Sequence, residues 1–238
     1  STKSIAIGYQ SAQYSTGSFN TFVGYQAGRG GTNSAPYSSG TKNTALGYEA
    51  LIAFTTGYEN VAIGYEAGES ITTGYMNTLV GYEAGEKITT GFGNVMMGRE
   101  AGAGKVSTIG SIAIGYRAGL ADAASYDIFM GYEAGANTKG GGNLGIGRQA
   151  GRGSNGVSEY GGTSGSLNTS VGHYAGQFLL GSGNAMFGYQ AGYYASGSSN
   201  TFVGKEAGKG GTTSAPYSSG QYNTAVGSEA LKAFTTGG

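Results

Sequence analysis

The chain lacks residues and segments on which several classes of protein depend. Its 238 residues include no Cys, no Trp, two Pro and two Asp. The absence of Cys excludes a disulfide framework and fits either a reducing compartment or an exterior fibre. No apolar run is as long as a membrane-spanning helix, and the opening STKSIAIGYQ lacks the basic start and apolar centre of a signal peptide. We therefore expect no membrane insertion here, and any export signal is expected to lie outside this segment.

Concentrated charge is missing as well. The 13 basic residues balance the 13 acidic ones, and no stretch gathers Lys or Arg. Nucleic acids and anionic membranes bind surfaces rich in positive charge. Neither is therefore expected as a partner.

Glycine, in contrast, is abundant and regularly placed. The 50 glycines follow no three-residue period, which excludes collagen, and they accompany regularly spaced apolar residues, which argues against disorder. A motif of the form Asn-Thr-x-Val-Gly-Tyr-x-Ala-Gly recurs thirteen times, and nine of its twelve intervals agree to within one residue. The central glycines are Gly8, Gly24, Gly47, Gly64, Gly81, Gly98, Gly115, Gly131, Gly147, Gly172, Gly188, Gly204 and Gly227.

Each repeat unit contains a strand signal before its central glycine. The preceding residue is apolar in all thirteen units, and a β-branched residue stands two positions earlier in eleven. The residue between them is mostly apolar too, so both faces of the strand are expected to be buried. The residues predicted to pack in the core or in a trimer interface are Phe22, Val23, Ile63, Val80, Phe129, Phe202 and Val203.

The unit length predicts the architecture. A unit of roughly 16 to 17 residues spans only about 55 Å when extended at ~3.3 Å per residue, which suits two short strands per coil. We predict an all-β protein, a parallel β-solenoid of about 13 coils forming one segment over residues 1–238. A thin roll of this kind would leave its second apolar face in water, so chains are expected to associate.

Three further positions carry the same type of residue in most repeat units. Asn stands four residues before the glycine in ten units, which predicts a turn. Tyr follows the glycine in eight units, where stacking between coils is favoured over a platform for sugars. Glu or Gln stands two residues after the glycine in most units, and this exchange favours a solvated face over a carboxylate site.

No residues combine into a recognisable reactive site. The only His, His173, occupies a position that Tyr holds in eight units, so it is interpreted as a variant ring in a stack. No nucleophile and base recur together, and the Asp-rich turns of calcium-binding rolls are missing. We therefore expect no catalytic residue, no metal, no cofactor and no enzyme activity.

Three insertions interrupt the rhythm and are candidate partner-binding loops. They lie near residues 30–42, 152–167 and 210–222. Residues 20–57 match residues 200–237 at 29 of 38 positions, an offset of 180, so the first and third insertions are copies. A solenoid accepts extra residues where they leave the stack, and Tyr gives contact area at low entropy cost. The candidate contact residues are Pro36, Tyr37, Tyr160, Pro216 and Tyr217, although bracing of neighbouring coils is nearly as well supported.

Units such as Ser111-Ile112-Ala113-Ile114-Gly115 and Asn60-Val61-Ala62-Ile63-Gly64-Tyr65 resemble the head repeats of YadA-like trimeric autotransporter adhesins. They are also similar to the Asn-Thr-Ala-Ile-Gly-rich shafts of phage tail fibres. The resemblance implies a left-handed β-roll, a homotrimer and an extracellular location on a cell, filament or virion. The units here are longer than the usual adhesin repeat, and Tyr follows the glycine unusually often.

Three functions remain open at this stage. The first is a structural and adhesive fibre segment that attaches to a host surface glycan or protein. The second is a purely structural filament without a receptor. The third is an ice- or surface-binding solenoid, suggested by Thr-Thr pairs such as Thr55-Thr56 and Thr72-Thr73, which lapse after Thr90 until Thr235.

Overall fold

The computed structural model describes residues 3–31, 37–121, 124–153, 165–210 and 218–235. Within these ranges the chain forms thirteen strands of three residues each and no helix. Each strand ends at the residue before a central glycine, as the repeat predicts. The strands are β1 Ile5–Ile7, β2 Thr21–Val23, β3 Thr44–Leu46, β4 Val61–Ile63, β5 Thr78–Val80, β6 Val95–Met97, β7 Ile112–Ile114, β8 Ile128–Met130, β9 Leu144–Ile146, β10 Thr169–Val171, β11 Ala185–Phe187, β12 Thr201–Val203 and β13 Thr224–Val226.

The chain divides into two compact units, residues 1–117 with β1 to β7 and residues 118–238 with β8 to β13. In both units each strand pairs in parallel with the next strand along the chain. Each unit is therefore a parallel β-solenoid, which confirms the predicted all-β class and repeat fold.

Strand register is the same whether or not an insertion intervenes. Ala6 pairs with Phe22 where the coil has the common length, and Phe22 pairs with Ala45 across the first insertion. Gly145 pairs with Ser170 across the second insertion. The extra residues are thus accommodated away from the strands, because any slip of one residue would turn buried side chains outward.

The middle residue of the strand fills the core in β2 to β13. The sequence predicts the residue before the glycine in the core too, and in the single chain this prediction is wrong. A three-residue strand points its middle side chain to one face and both neighbours to the other. Of the predicted packing residues, Phe22, Phe129 and Phe202 are buried, whereas Val23, Ile63 and Val80 are half-buried and Val203 is exposed.

The wall opposite the strands completes a core one side chain deep. A buried Ala stands three residues after the central glycine in most coils, as at Ala67 and Ala84. Larger side chains also fill the core, and the rings of Phe22 and Phe54 lie 5.4 Å apart between centroids. The buried side chains of successive coils therefore stack into a continuous apolar column within each unit.

The far wall does not form the second strand that the sequence predicts. In the described residues it contributes only single β-bridges, for example between Ser15 and Ser38 and between Phe92 and Ile109. Coils are nevertheless hydrogen-bonded there, since the Thr55 amide donates to the Thr72 carbonyl at 2.9 Å. Turns at close intervals keep this wall from running straight long enough to form a ladder.

The corners explain which positions must be glycine. The residues five before, two after and four after the central glycine have a left-handed backbone in all thirteen coils, with φ between +51° and +73°. L-residues tolerate that region, and Glu66 occupies it at +51°. The central glycine has φ between +125° and +143°, which only glycine adopts readily. A Cβ on Gly64 would also lie 2.6 Å from the carbonyl carbon of Gly81 in the next coil.

Candidate functional site

A ladder of buried asparagines links successive coils. The Asn43 side chain accepts hydrogen bonds at Oδ1 from the Asn60 backbone amide at 3.0 Å and from Asn60 Nδ2 at 3.1 Å. Asn60 Nδ2 also donates to the Gly74 carbonyl at 2.9 Å. The sequence assigns these asparagines to turns that bond their own backbone. Instead, the residue before each Asn makes the left-handed turn, and the Asn amide bonds the next coil. Identical residues at coil spacing are the signal that could have predicted this ladder.

The tyrosines that follow the central glycines form a second ladder, on the surface of the first unit. Tyr9, Tyr25, Tyr48, Tyr65 and Tyr82 stack with ring centroids 5.0 to 5.4 Å apart. The predicted stacking between coils is confirmed for these five tyrosines. Beyond Tyr82 the next position is Arg99, whose guanidinium lies 5.2 Å from the Tyr82 ring centroid.

A shorter aromatic row, which the sequence did not suggest, lies in the same unit. Tyr58 stacks on Tyr75 at 4.8 Å, and Tyr75 stacks on Phe92 at 4.6 Å. These rings stand six residues before a central glycine, where only three consecutive units carry an aromatic residue. A run of three is too short to stand out in the sequence.

Glutamates partner the surface tyrosines. The phenol of Tyr65 hydrogen-bonds the Glu66 carboxylate, and this bond, with partial desolvation and nearby negative charge, raises the pKa of Tyr65 to about 12. The same bond from Glu49 raises the pKa of Tyr48, and burial raises the pKa of the Glu69 carboxyl. In the described ranges no three His, Cys, Asp or Glu side chains lie close enough together to bind a metal ion.

His173 lies among aromatic rings. Its ring centroid is 4.0 Å from that of Tyr174 and 5.7 Å from that of Tyr189, which meets it edge-on. The structure thus places His173 in an aromatic cluster, as its interpretation as a variant ring requires.

The threonine pairs present a narrower surface than the sequence suggests. Thr55 Oγ1 donates to the Thr72 carbonyl at 3.1 Å, and Thr72 Oγ1 donates to the Thr89 carbonyl at 3.2 Å. In the pairs Thr55-Thr56, Thr72-Thr73 and Thr89-Thr90, only the second residue is exposed. A single exposed row does not make the broad flat array that a crystal-binding face needs.

The first insertion lies closer to the stack than the sequence predicts. Gly30, Ser38 and Gly40 are buried, and the Ser38 amide donates to the Tyr14 carbonyl at 3.0 Å. Residues at both ends of the predicted loop 30–42 therefore pack against neighbouring coils. Among the candidate contact residues, Pro36, Tyr160, Pro216 and Tyr217 lie outside the described residues.

Tyr37, the remaining candidate, borders a surface hollow. Its ring is 46% exposed and lies parallel to that of Tyr14, with centroids 6.4 Å apart. A hollow of about 440 Å³ is lined by Tyr14, Tyr37 and the polar residues Gln13, Ser15 and Thr16. A second hollow, of about 210 Å³, is lined by Tyr14 and Arg29 with two glycines. We call the two hollows, which share Tyr14, the Tyr14 hollow.

The outer face of the strands carries a row of exposed apolar side chains. Leu46 and Met97 in the first unit are 49% and 40% exposed, and Met130 and Phe187 in the second are each 40% exposed. Isolated exposed apolar residues are ordinary on protein surfaces, whereas a contiguous row indicates an interaction surface.

Comparison with family models, with characterised proteins and with solved structures returned no match. The resemblance to adhesin and tail-fibre repeats therefore stays a prediction from the repeat motif. Within the described part of the chain, no helix has the length and apolar character needed to cross a membrane.

Proposed function

We propose that the chain is a segment of an extracellular fibre, in which copies associate through the outer strand face and the Tyr14 hollow contacts a surface. The observation that carries the proposal is the row of apolar side chains at the last position of every strand, eight of them exposed and five half-buried in the single chain. A solenoid that repeats an apolar side chain on its outer face at each step offers a surface that another copy can match coil by coil. We infer a homotrimer of left-handed rolls, following the resemblance to trimeric adhesins.

Adhesion is the second part of the proposal. Regular coils supply a scaffold whose side chains are used in stacking, and the insertions are the places where the sequence departs from the repeat. Binding residues often lie on loops held by a rigid scaffold. The exposed Tyr37 and its polar surroundings support attachment to a host glycan or protein.

Sedimentation velocity of the unmodified chain and of an L46K/I63K double variant tests the association. Leu46 and Ile63 lie side by side on the outer face. We expect the unmodified chain to sediment as a trimer and the double variant as a monomer, with circular dichroism unchanged. The Phe22, Phe129 and Phe202 side chains are unsuitable for this test because they lie inside the coils.

A matched control is Met76→Lys, since Met76 is 52% exposed but stands at a corner and not on the strand. This variant should remain trimeric. A monomeric, folded unmodified chain would contradict the association. A purely structural filament would associate in the same way but would not attach to cells or glycans.

A further inference from the structure

The two copies of the long repeat differ in charge at the same place. Arg29 borders the Tyr14 hollow, and Lys209 stands at the corresponding position of the second copy. Beside Arg29 the sequence has Gln26, whereas beside Lys209 it has Glu206. The copies also differ at neighbouring positions, such as Tyr25 and Lys205 or Ile52 and Lys232, so the cation stands in two different charge settings.

In the second copy the cation lies near a carboxylate. Lys209 Nζ lies 3.8 Å from a Glu206 carboxylate oxygen and hydrogen-bonds Gln190 Oε1 at 2.8 Å. Lys232 pairs with the same carboxylate at 2.6 Å, and its hydrogen bond lowers the pKa of the Glu206 carboxyl. The cation at this position therefore has a carboxylate neighbour in the second copy.

In the first copy the cation has no carboxylate. The Arg29 guanidinium makes one long hydrogen bond, 3.4 Å from Nη1 to Gln26 Oε1, and among the described residues its buried Nε has no hydrogen-bond partner. The backbone holds the residue in place, since the Tyr14 amide donates to the Arg29 carbonyl at 2.8 Å. Because no described carboxylate pairs with the guanidinium, its charge remains available to an anionic ligand.

We propose that the Tyr14 hollow binds an acidic saccharide, a sugar carrying a carboxylate or sulfate group. Arg29 binds the anionic group through charge-assisted hydrogen bonds, which a planar guanidinium makes in pairs. The parallel rings of Tyr14 and Tyr37 contact the apolar face of the sugar, and Ser15 and Thr16 bond its hydroxyl groups. This inference rests on the adhesive part of the proposed function and names the class of ligand.

Three features favour a saccharide over an acidic peptide. The hollow combines one cation with two aromatic rings, of which Tyr37 is exposed and Tyr14 half-buried, whereas peptide carboxylates are usually bound by clusters of basic residues. Its remaining lining is made of amide and hydroxyl side chains, which match the hydroxyl groups of a sugar. The larger of the two hollows, of about 440 Å³, has the volume of a small-ligand site and not of a protein interface.

Calorimetric titration of the full chain tests the proposal. The probes are a galacturonate tetrasaccharide, a sulfated galactose tetrasaccharide, a neutral galactose tetrasaccharide and a tetraglutamate peptide. We expect one or both acidic sugars to bind at least about tenfold more tightly than the neutral sugar and the peptide, since a charged hydrogen bond contributes about that factor. The two acidic sugars distinguish a carboxylate from a sulfate as the anionic group.

Substitutions exploit the comparison between the copies. Arg29→Gln should abolish the preference for the acidic sugar, and Gln26→Glu should do so as well by giving Arg29 the partner that Lys209 has. Tyr37→Ala should weaken all sugar binding about tenfold or more. Lys209→Gln is the matched control and should change nothing.

Several results would overturn the inference. They are equal affinity for acidic and neutral sugars, binding of the peptide as tight as that of the sugar, or unchanged binding in Gln26→Glu. If no sugar binds but the chain still attaches to cells, the acidic saccharide is the wrong ligand and the adhesive function stands. Absence of attachment to any cell or surface would refute the adhesive function as well.

Discussion

Replacing Asn77 by Ala measures what the asparagine ladder contributes to stability. Asn77 is fully buried, its Nδ2 donates to the Gly91 carbonyl at 2.9 Å, and its Oδ1 accepts from the Asn94 amide at 3.1 Å. Alanine would leave that carbonyl and that amide without their partners inside the core. Each buried unsatisfied group costs about 1–3 kcal/mol, so the free energy of unfolding should fall by about 2–6 kcal/mol.

A matched control lies at the end of the ladder. Asn223 donates to Asn200 Oδ1 from its amide and from Nδ2, and no described residue donates to its side chain. Asn223→Ala therefore removes a bond without leaving a neighbour's backbone group unpaired, and should cost about 1 kcal/mol or less.

Urea denaturation followed by circular dichroism gives both values, and hydrogen exchange reports directly on the Asn94 amide. That amide should exchange faster in Asn77→Ala than in the unmodified chain. If Asn77→Ala and Asn223→Ala are equally stable, or if the Asn94 amide stays protected, the ladder is not what links these coils.

Three other perturbations probe the corner, the surface ladder and the core. Gly64→Ala should lower the thermal midpoint sharply, because its φ of +139° costs about 1–3 kcal/mol for any other residue and a Cβ would press on Gly81. Tyr65 should ionise near pH 12 in a spectrophotometric titration, and Glu66→Gln should lower that pKa towards 10. Because the pKa is raised in the folded state, the associated stability is complete below pH 10 and is lost as pH rises towards about 12. Leu79→Ala, at a fully buried position, should cost about 2–5 kcal/mol in urea denaturation.

For each of these three substitutions, one result would contradict the expected effect. An unchanged melting temperature in the Gly64 variant would mean that the coil can open to admit a methyl group without loss. If the pKa of Tyr65 is the same in the unmodified chain and in Glu66→Gln, the hydrogen bond between the phenol and the carboxylate does not raise it. A loss for Leu79→Ala well below about 2 kcal/mol would mean that the core column is loosely packed.

The repeat fold was determined by the sequence, because each coil repeats the same local rules. The central glycines mark a backbone that only glycine adopts readily, and the β-branched and apolar residues before each of them predict the strand. Stacking of Tyr25 on Tyr48 also followed from spacing alone, since identical positions in successive coils must lie above one another.

Other features were decided only by the tertiary structure. Spacing could not say which face of a three-residue strand turns inward, since Phe22 and Val23 are both apolar, and only the closed coil shows that the Phe is inside. The role of Asn60 depends on the Asn43 side chain one coil away, which local turn preferences do not describe. The Arg29 side chain likewise became notable only when the fold placed it beside Tyr14 without a carboxylate, because pairing of charges is a property of distance in space and not of position along the chain.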